Sequence, residues 1–430
     1  MNETLTLIDP VTQTRAQNKP SFYQRLVLAA FAKMNEGSLR LDLPDGSVAQ
    51  FGTPGTDVSA KICVLDGTFF QRCVLFGDVG FAESYIQGEW ETESIERVIS
   101  WAIHNVGNAP SMSGSKASQF ALNILRSYNR TKHLLRPNDE CTARRNIAEH
   151  YDLGNEFYRL WLDPTMTYSS GYFTSVSQSL ESSQIAKYDL LCRKLQLCAD
   201  DHVLEIGCGW GGFACHAAKH FGCRLTTVTI SQEQFKYARD RFEREGVADR
   251  VEIRLQDYRT IEGRFDKIVS IEMMEALGDR YLPTYCAKLH ELLKPNGLVG
   301  VQYITVPDSR HAELRDGVDF IQKHIFPGSL LLSVGRVNEM LNRTGNLFLH
   351  HLEDLGSSYA RTLHLWWRNF NSRLDEVRAL GFDERFIRKW NYYLQYSEAA
   401  FASRNVSVVQ AIYTRPNNRH LHIAAEEFSV

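Results

Sequence analysis

Apolar and polar positions along the chain follow two rhythms. Phe22, Leu26, Leu28 and Phe31 recur at helical spacing and predict a helix over 21–34, preceded by a polar tail of about 20 residues. From Leu39 to Phe76 the runs SVAQFG, AKICVL and RCVLFG are short and are separated by Pro44-Asp45-Gly46, Pro54-Gly55 and Leu65-Asp66-Gly67, which predicts strands joined by turns. Residues 77–90 then read as a loop and short helix, and 94–102 as a helix. Together they outline a small α+β unit over 21–107. Between 108 and 145 the pattern dissolves into small polar residues with Lys116, Arg126, Arg130, Lys132, Arg136, Arg144 and Arg145, a basic linker. Beside Phe120, Leu122, Ile124, Leu125 and Tyr128, this segment is either a solvated amphipathic helix or one that settles on an anionic bilayer.

From 146 to 430 strand and helix alternate, as a parallel sheet with helical crossovers requires. HVLEIG, CRLTTVTIS, VEIRLQD, FDKIVSIEM and GLVGVQYITV are the expected strands, with helices such as 232–245 and 281–293 between them; Lys294-Pro295-Asn296-Gly297 marks the end of the latter. The fold class is therefore α/β, a doubly wound, mostly parallel sheet, with a smaller α+β domain in front.

Composition narrows the function. With 430 residues, 43% hydrophobic, and a net charge of −3, the chain is long enough for two cores and lacks the basic excess expected of a nucleic-acid binder. Nine cysteines show no C-x-x-C pairing and no secretory leader precedes them, so reduced thiols in a cytoplasmic protein are expected. No stretch approaches 18 apolar residues; nothing is expected to span a membrane, although lying on one is compatible.

The run Glu205-Ile206-Gly207-Cys208-Gly209-Trp210-Gly211-Gly212, after His202-Val203-Leu204, reads as a buried strand ending in a glycine-rich turn that opens a helix. A carboxylate at the strand tip would repel a dinucleotide pyrophosphate but suits the ammonium and sulfonium of S-adenosylmethionine. In a doubly wound sheet the ligand sits at the carboxyl ends of the strands. The expected cofactor shell is thus Glu205, Gly207, Gly209 and Gly211 after the first strand, Thr229, Ile230, Ser231 and Gln234 after the second, Asp257 and Tyr258 after the third, and Glu272 and Glu275 after the fourth. Asp257 is placed to accept from the adenine amino group. Thr229 stands where many methyltransferases have an acidic ribose ligand, so Gln234 is expected to hold the ribose. No metal cluster is expected.

With these motifs the sequence resembles the cyclopropane fatty acid synthases and their mycolic acid relatives. His150 to Tyr158, Leu162 to Ser169, Leu204 to Gly212, Val228 to Ser231, Gln256 to Tyr258, Phe326-Pro327-Gly328 and Tyr359 to Leu363 match in order, strongly over 146–415 and loosely over 60–105 through GDVGFAESYIQGEW. The resemblance implies methyl transfer from the sulfonium to a cis alkene in an unsaturated phospholipid acyl chain at a membrane surface. The resulting carbocation loses a methyl proton to a bound bicarbonate ion, and the ring closes. It implies Glu275 as the group orienting bicarbonate, Tyr359, Ser170, Gln302 and Ile304 around the same ion, Tyr168 and Ser169 with the cofactor, and His150 and Tyr151 on a lid over it. A carbocation wants aromatic faces and no water, and Tyr168, Tyr172, Phe173, Tyr359, Trp366 and Trp367 are candidates. The resemblance further implies peripheral attachment to the inner membrane face, with a homodimer left open.

Two departures stand out. Ser170 replaces a cysteine, and Gln302 replaces a histidine, so neither can titrate near neutrality. Ser170 still offers a backbone N–H and a hydroxyl, and Gln302 donates through its amide, so an anion can still be bound; a hydride shift before proton loss, giving a methylene branch instead of a ring, would use the same site. A methyltransferase for a small polar acceptor and a non-catalytic cofactor- or lipid-binding module are the competing classes.

Overall fold

The computed structural model describes residues 20–105, 153–317, 319–418 and 421; the basic linker, His150 and Tyr151 lie outside them. The N-terminal unit runs α1 (Phe22–Phe31), β1 (Ser38–Asp42), β2 (Val48–Gly52), β3 (Ser59–Val64), α2 (Thr68–Ile86), β4 (Trp90–Glu91) and α3 (Ile95–His104). Its sheet has the order β2-β1-β3-β4, with β1 and β3 parallel and the outer pairs antiparallel. The expected strand RCVLFG is instead part of α2. Asp66 is not a hairpin corner: its carboxylate accepts from the backbone N–H and the hydroxyl of Thr68 and anchors the first turn. Phe69, Phe70 and Cys73 then fall on one buried helical face, and the helix breaks only at Gly77, where φ is 58°. The expected helices over 21–34 and 94–102 are present, each capped by a serine side chain, Ser21 and Ser94.

The larger unit continues with α4 (Asn155–Arg159), α5 (Leu180–Lys194), β5 (His202–Ile206), α6 (Gly212–Phe221), β6 (Arg224–Thr229), α7 (Gln232–Arg244), β7 (Val251–Leu255), β8 (Phe265–Ile271), α8 (Leu282–Leu292) and β9 (Leu293–Thr305). It closes with α9 (Asp308–Asp316), α10 (Phe320–His324), α11 (Val334–Gly345), β10 (Phe348–Asp354), α12 (Gly356–Asn371), α13 (Leu374–Ala379), α14 (Glu384–Ala402) and β11 (Ser407–Thr414). All five expected strands form. They are mutually parallel in the order β9-β8-β5-β6-β7, and β11 adds antiparallel to β9, with β10 beyond it. Strand order reverses direction at β5, which places the ligand crevice at the carboxyl ends of β5 and its neighbour β8.

The two units share a core. Val27, Leu39, Ile62, Trp90 and Trp101 from the first belong to the same apolar cluster as Phe157, Trp161, Trp366, Trp390 and Phe401 from the second. Helix α14 joins them: Arg388 donates to the carbonyls of Tyr85 and Trp90, and the Gln395 side chain accepts from the N–H of Glu96. The described cysteines are all unpaired, and six of the eight are buried.

Trp390 stacks on Phe386, meets Phe157, Trp161 and Tyr393, and is 2% exposed. Trp390→Ala should cost about 3–5 kcal/mol through the cavity it leaves, a large share of a typical domain's ~5–15 kcal/mol. A clearly lowered thermal midpoint is expected, and an unchanged one would show that this cluster does not hold the units.

Candidate active site

Three positive-φ glycines shape the end of β5, but they do different things. The N–H groups of Gly207, Cys208 and Gly211 are already spent, the first two on Val228 O of the neighbouring β6 and the third on Cys208 O within the turn. The glycines therefore supply room more than donors. A Cβ at Gly211 would lie 2.7 Å from the Phe242 ring, so this glycine lets α6 and α7 approach. At Gly209, φ is +50° and a Cβ would meet nothing within 4 Å, which is the open side expected of a ligand cradle. Glu205 lies beneath the turn, 3% exposed, accepting a 2.6 Å hydrogen bond from the Thr227 hydroxyl on β6. Burial pushes its carboxyl up to about 8, against the Thr227 bond and the charge of Arg241.

After β6, Thr229 donates to the Gln234 amide oxygen at 2.8 Å, and Ser231 caps α7. The bond uses the Gln234 amide oxygen and not its NH2 group, the side that the expected ribose contact requires; Ile230 follows directly on the strand. Asp257 is occupied differently from expectation: Arg259 holds both carboxylate oxygens, at 2.8 and 2.7 Å. An adenine amino group would have to share that carboxylate. Beside it, the Tyr258 hydroxyl is buried and pushed up to about 12.

The densest polar cluster is at the end of β8. Glu272, in a left-handed backbone conformation (φ 48°), accepts from the Ser170 N–H at 2.9 Å, the Gln302 amide at 2.7 Å and the Tyr359 hydroxyl at 2.8 Å. These donors come from the 169–173 loop, β9 and α12. Glu275, one turn on, accepts from the Ile304 N–H at 2.5 Å, while its second oxygen is buried and has no hydrogen-bond partner among the described residues. Burial, reinforced by the Glu272 charge, pushes Glu275 up to about 8; burial also raises Glu272. Below them Lys187 donates to the Ser169 hydroxyl at 2.5 Å, and burial lowers it to about 7 despite the opposing pull of Glu272 and Asp163.

Three of the five residues expected around bicarbonate, Ser170, Gln302 and Tyr359, converge on one side chain, while the other two, Ile304 and Glu275, pair with each other. Ser170 N–H, the Gln302 amide and the Tyr359 hydroxyl donate to Glu272, Ile304 N–H donates to Glu275, and the Ser170 hydroxyl donates to Gly171 O. The donor set does not fit an added anion while Glu272 holds it. Reading the residues singly missed this role of Glu272 and missed Lys187. The available signal was a glutamate following β8 combined with a glutamine, a neutral donor, in place of histidine on β9.

Aromatic rings wall the same end of the sheet. Tyr168 meets Trp161 at 5.3 Å, Trp366 at 5.4 Å and Phe326 at 6.2 Å between centroids, and its hydroxyl pairs with that of Tyr393 at 2.8 Å. Trp366 in turn meets Tyr359 at 6.1 Å. Tyr172, Phe173 and Trp367 lie against this cluster from the partly exposed side, with Arg361 over the Phe173 ring.

The sequence profile of the mycolic acid cyclopropane synthetase family matches residues 138–411. The chain belongs to this family. It is 40% identical over 342 residues to the tuberculostearic acid methyltransferase UfaA1 of Mycobacterium tuberculosis, 78% of each chain being covered. It is 33% identical to the cyclopropane-fatty-acyl-phospholipid synthase of Escherichia coli K12, over 85% of this chain and 90% of that one. The crystal structure of mycolic acid cyclopropane synthase CmaA1 complexed with SAH and CTAB superposes with a TM-score of 0.59 at 28% identity, covering 63% of this chain and 98% of that one. The protein is an S-adenosylmethionine-dependent methyltransferase with the fold expected from its sequence.

Gly209→Val should fold, at a cost of roughly 1–2 kcal/mol for its left-handed backbone, yet lose S-adenosylmethionine in calorimetry; near-normal affinity would displace the cradle from this turn. Protonation of Glu205 carries a second expectation. Its carboxyl is largely neutral near pH 7 in the free protein, and a cationic ligand favours the carboxylate, so binding should release a proton and tighten from about pH 6 to about pH 8. Titrations in buffers of different ionisation heat would show it, and Glu205→Gln should flatten the trend; a pH-independent affinity in the parent would contradict it.

Proposed function

We propose that the enzyme transfers the methyl group of S-adenosylmethionine to the cis double bond of an unsaturated phospholipid acyl chain, working at a membrane surface. The observation that carries this reading is the meeting of the glycine turn, a wall of Tyr168, Trp366 and Tyr359, and two partly buried carboxylates at one end of the sheet. A methyl acceptor without a lone pair offers only its π electrons. They attack the sulfonium methyl, the C–S pair returns to sulfur, and a carbocation is left on the chain. Aromatic faces and carboxylates stabilise that cation, and a water-poor wall keeps it from being trapped. Among the described residues no helix is long and apolar enough to cross a membrane, consistent with an enzyme that receives chains from a bilayer it does not span.

A cyclopropane ring is the product in keeping with the family name. The second reading, a methylene-branched chain formed after a hydride shift, is favoured by the 40% identity to a protein named as a tuberculostearic acid methyltransferase. Both add one CH2, but only the branch keeps a double bond.

Labelled S-adenosylmethionine incubated with unsaturated phospholipid vesicles should place label in the acyl chains, and mass spectrometry of the released fatty acids decides between ring and branch. Label confined to water-soluble acceptors, or no transfer, would overturn the reading. Glu275→Gln keeps an acceptor for Ile304 but removes the carboxyl that a neighbouring cation would draw into its ionised form. Turnover should fall at least roughly a hundredfold with cofactor affinity nearly intact; unchanged turnover would remove Glu275 from the site.

A further inference from the structure

We propose that Glu272 replaces the bicarbonate ion, its side-chain carboxylate being the group that takes the proton from the methylated chain. This rests on the acyl-chain reading above and names the base for it. A carboxylate and a bicarbonate present the same pair of oxygens to donors, and one site cannot hold both. Here the donors that would bind the ion, Ser170 N–H, the Gln302 amide and the Tyr359 hydroxyl, all end on Glu272 at 2.7–2.9 Å. The remaining member of the expected set, Ile304 N–H, ends on Glu275.

The placement is built rather than incidental. Glu272 adopts φ 48°, a conformation costly for a residue with a Cβ, and its own N–H donates to Gln302 O at 2.7 Å. Gln302 is fully buried, and its amide orientation is dictated by Gln410, which donates to the Gln302 oxygen at 3.0 Å and accepts from Lys194. The Gln302 NH2 group therefore faces Glu272. A histidine in this place would offer one ring N–H, which it could lose; glutamine is a permanent donor, suited to a permanent anion. The adjacent Met273 side chain lies 3.1 Å from where a Cβ on Gly207 would be, so the segment that carries Glu272 passes next to the cofactor turn. Through Tyr359 it touches the aromatic wall.

The step balances without another reactant. After methyl transfer, a C–H bond of the new methyl gives its electron pair to the cation, forming the third side of a ring, or a C=C bond if a hydride has shifted first. The proton passes to Glu272, which becomes a neutral acid. S-adenosylhomocysteine, the product and one proton are the sum.

The test pairs turnover with direct anion binding. The enzyme, assayed with labelled S-adenosylmethionine and unsaturated phospholipid vesicles, should turn over equally in bicarbonate-free and bicarbonate-supplemented buffer, and should leave the NMR line of 13C-bicarbonate sharp. Glu272→Gln should lower turnover by roughly 10²–10⁴-fold, the range of general-base removal, with thermal midpoint and cofactor affinity kept. Glu272→Gly, a residue at ease with the positive φ, frees the three donors: it should be inactive without bicarbonate, regain turnover with it, and broaden the 13C line. Bicarbonate-dependent turnover or 13C broadening in the unaltered enzyme overturns the proposal, and so does near-full turnover of Glu272→Gln. Should the unaltered enzyme methylate no lipid, the acyl-chain reading fails separately, and the 13C measurement still decides whether Glu272 occupies the anion's place.

Discussion

A carboxylate removed from water must be met by donors, and the end of β8 is organised around that demand. Leaving such a charge unpaired costs several kcal/mol, while each hydrogen bond to it contributes about 1.5–3 kcal/mol. Glu272 draws its donors from a loop 102 residues upstream, a neighbouring strand 30 residues on and a helix 87 residues on. Meeting the demand therefore fixes how the 169–173 loop and α12 sit over the sheet. Thr362 reinforces the arrangement from α12 by accepting from Gly171 N–H, as Ser358 does for Phe173. Beneath, Gln302 leads through Gln410 and Lys194 to Glu353 on β10, so the antiparallel edge of the sheet belongs to the same polar network.

The chemistry divides between the two sides of the switch point. At β5 and β6 small residues and Glu205 make room for a cationic cofactor. At β8 and β9 the carboxylates face the aromatic wall. That wall is not a thin lining: Trp161, Trp366 and Trp390 continue into the cluster shared with the N-terminal unit. Rigid backing of this kind keeps an aromatic face in position against a cation without relying on a mobile loop.

What the sequence made legible follows from how local the signal is. Strands β5 to β9 are apolar runs with local boundary signals, Gly207 after β5, Ser231-Gln232 after β6, Asp257-Tyr258 after β7 and Pro295-Asn296-Gly297 at the start of β9, so all five are readable. RCVLFG carries the same kind of run, but the carboxylate of Asp66 starts a helix there, and nothing in a six-residue window separates the two outcomes. β10 and β11 went unread because each pairs with a strand far along the chain or with the other. The site shows the same division. Glu205, Gly209, Thr229 and Gln234 stand where the turn and strand ends put them. Asp257 stands after β7 as expected, but its pairing with Arg259, two residues away, shows only in the folded turn. Ser170, Gln302 and Tyr359 were recognised as anion donors, but the anion they serve is a residue, and only the folded sheet brings it among them.

The account turns on what fills the space between Ser170, Gln302 and Tyr359 when cofactor and chain are bound. A crystal structure with S-adenosylhomocysteine and a long-chain amphiphile answers it directly. The account predicts the cofactor across Gly207–Gly209, the apolar tail against Tyr168 and Trp366, and both Glu272 oxygens still held by the same three donors, with the tail beside them. A separate oxyanion bound by those donors, with Glu272 turned away, would contradict it.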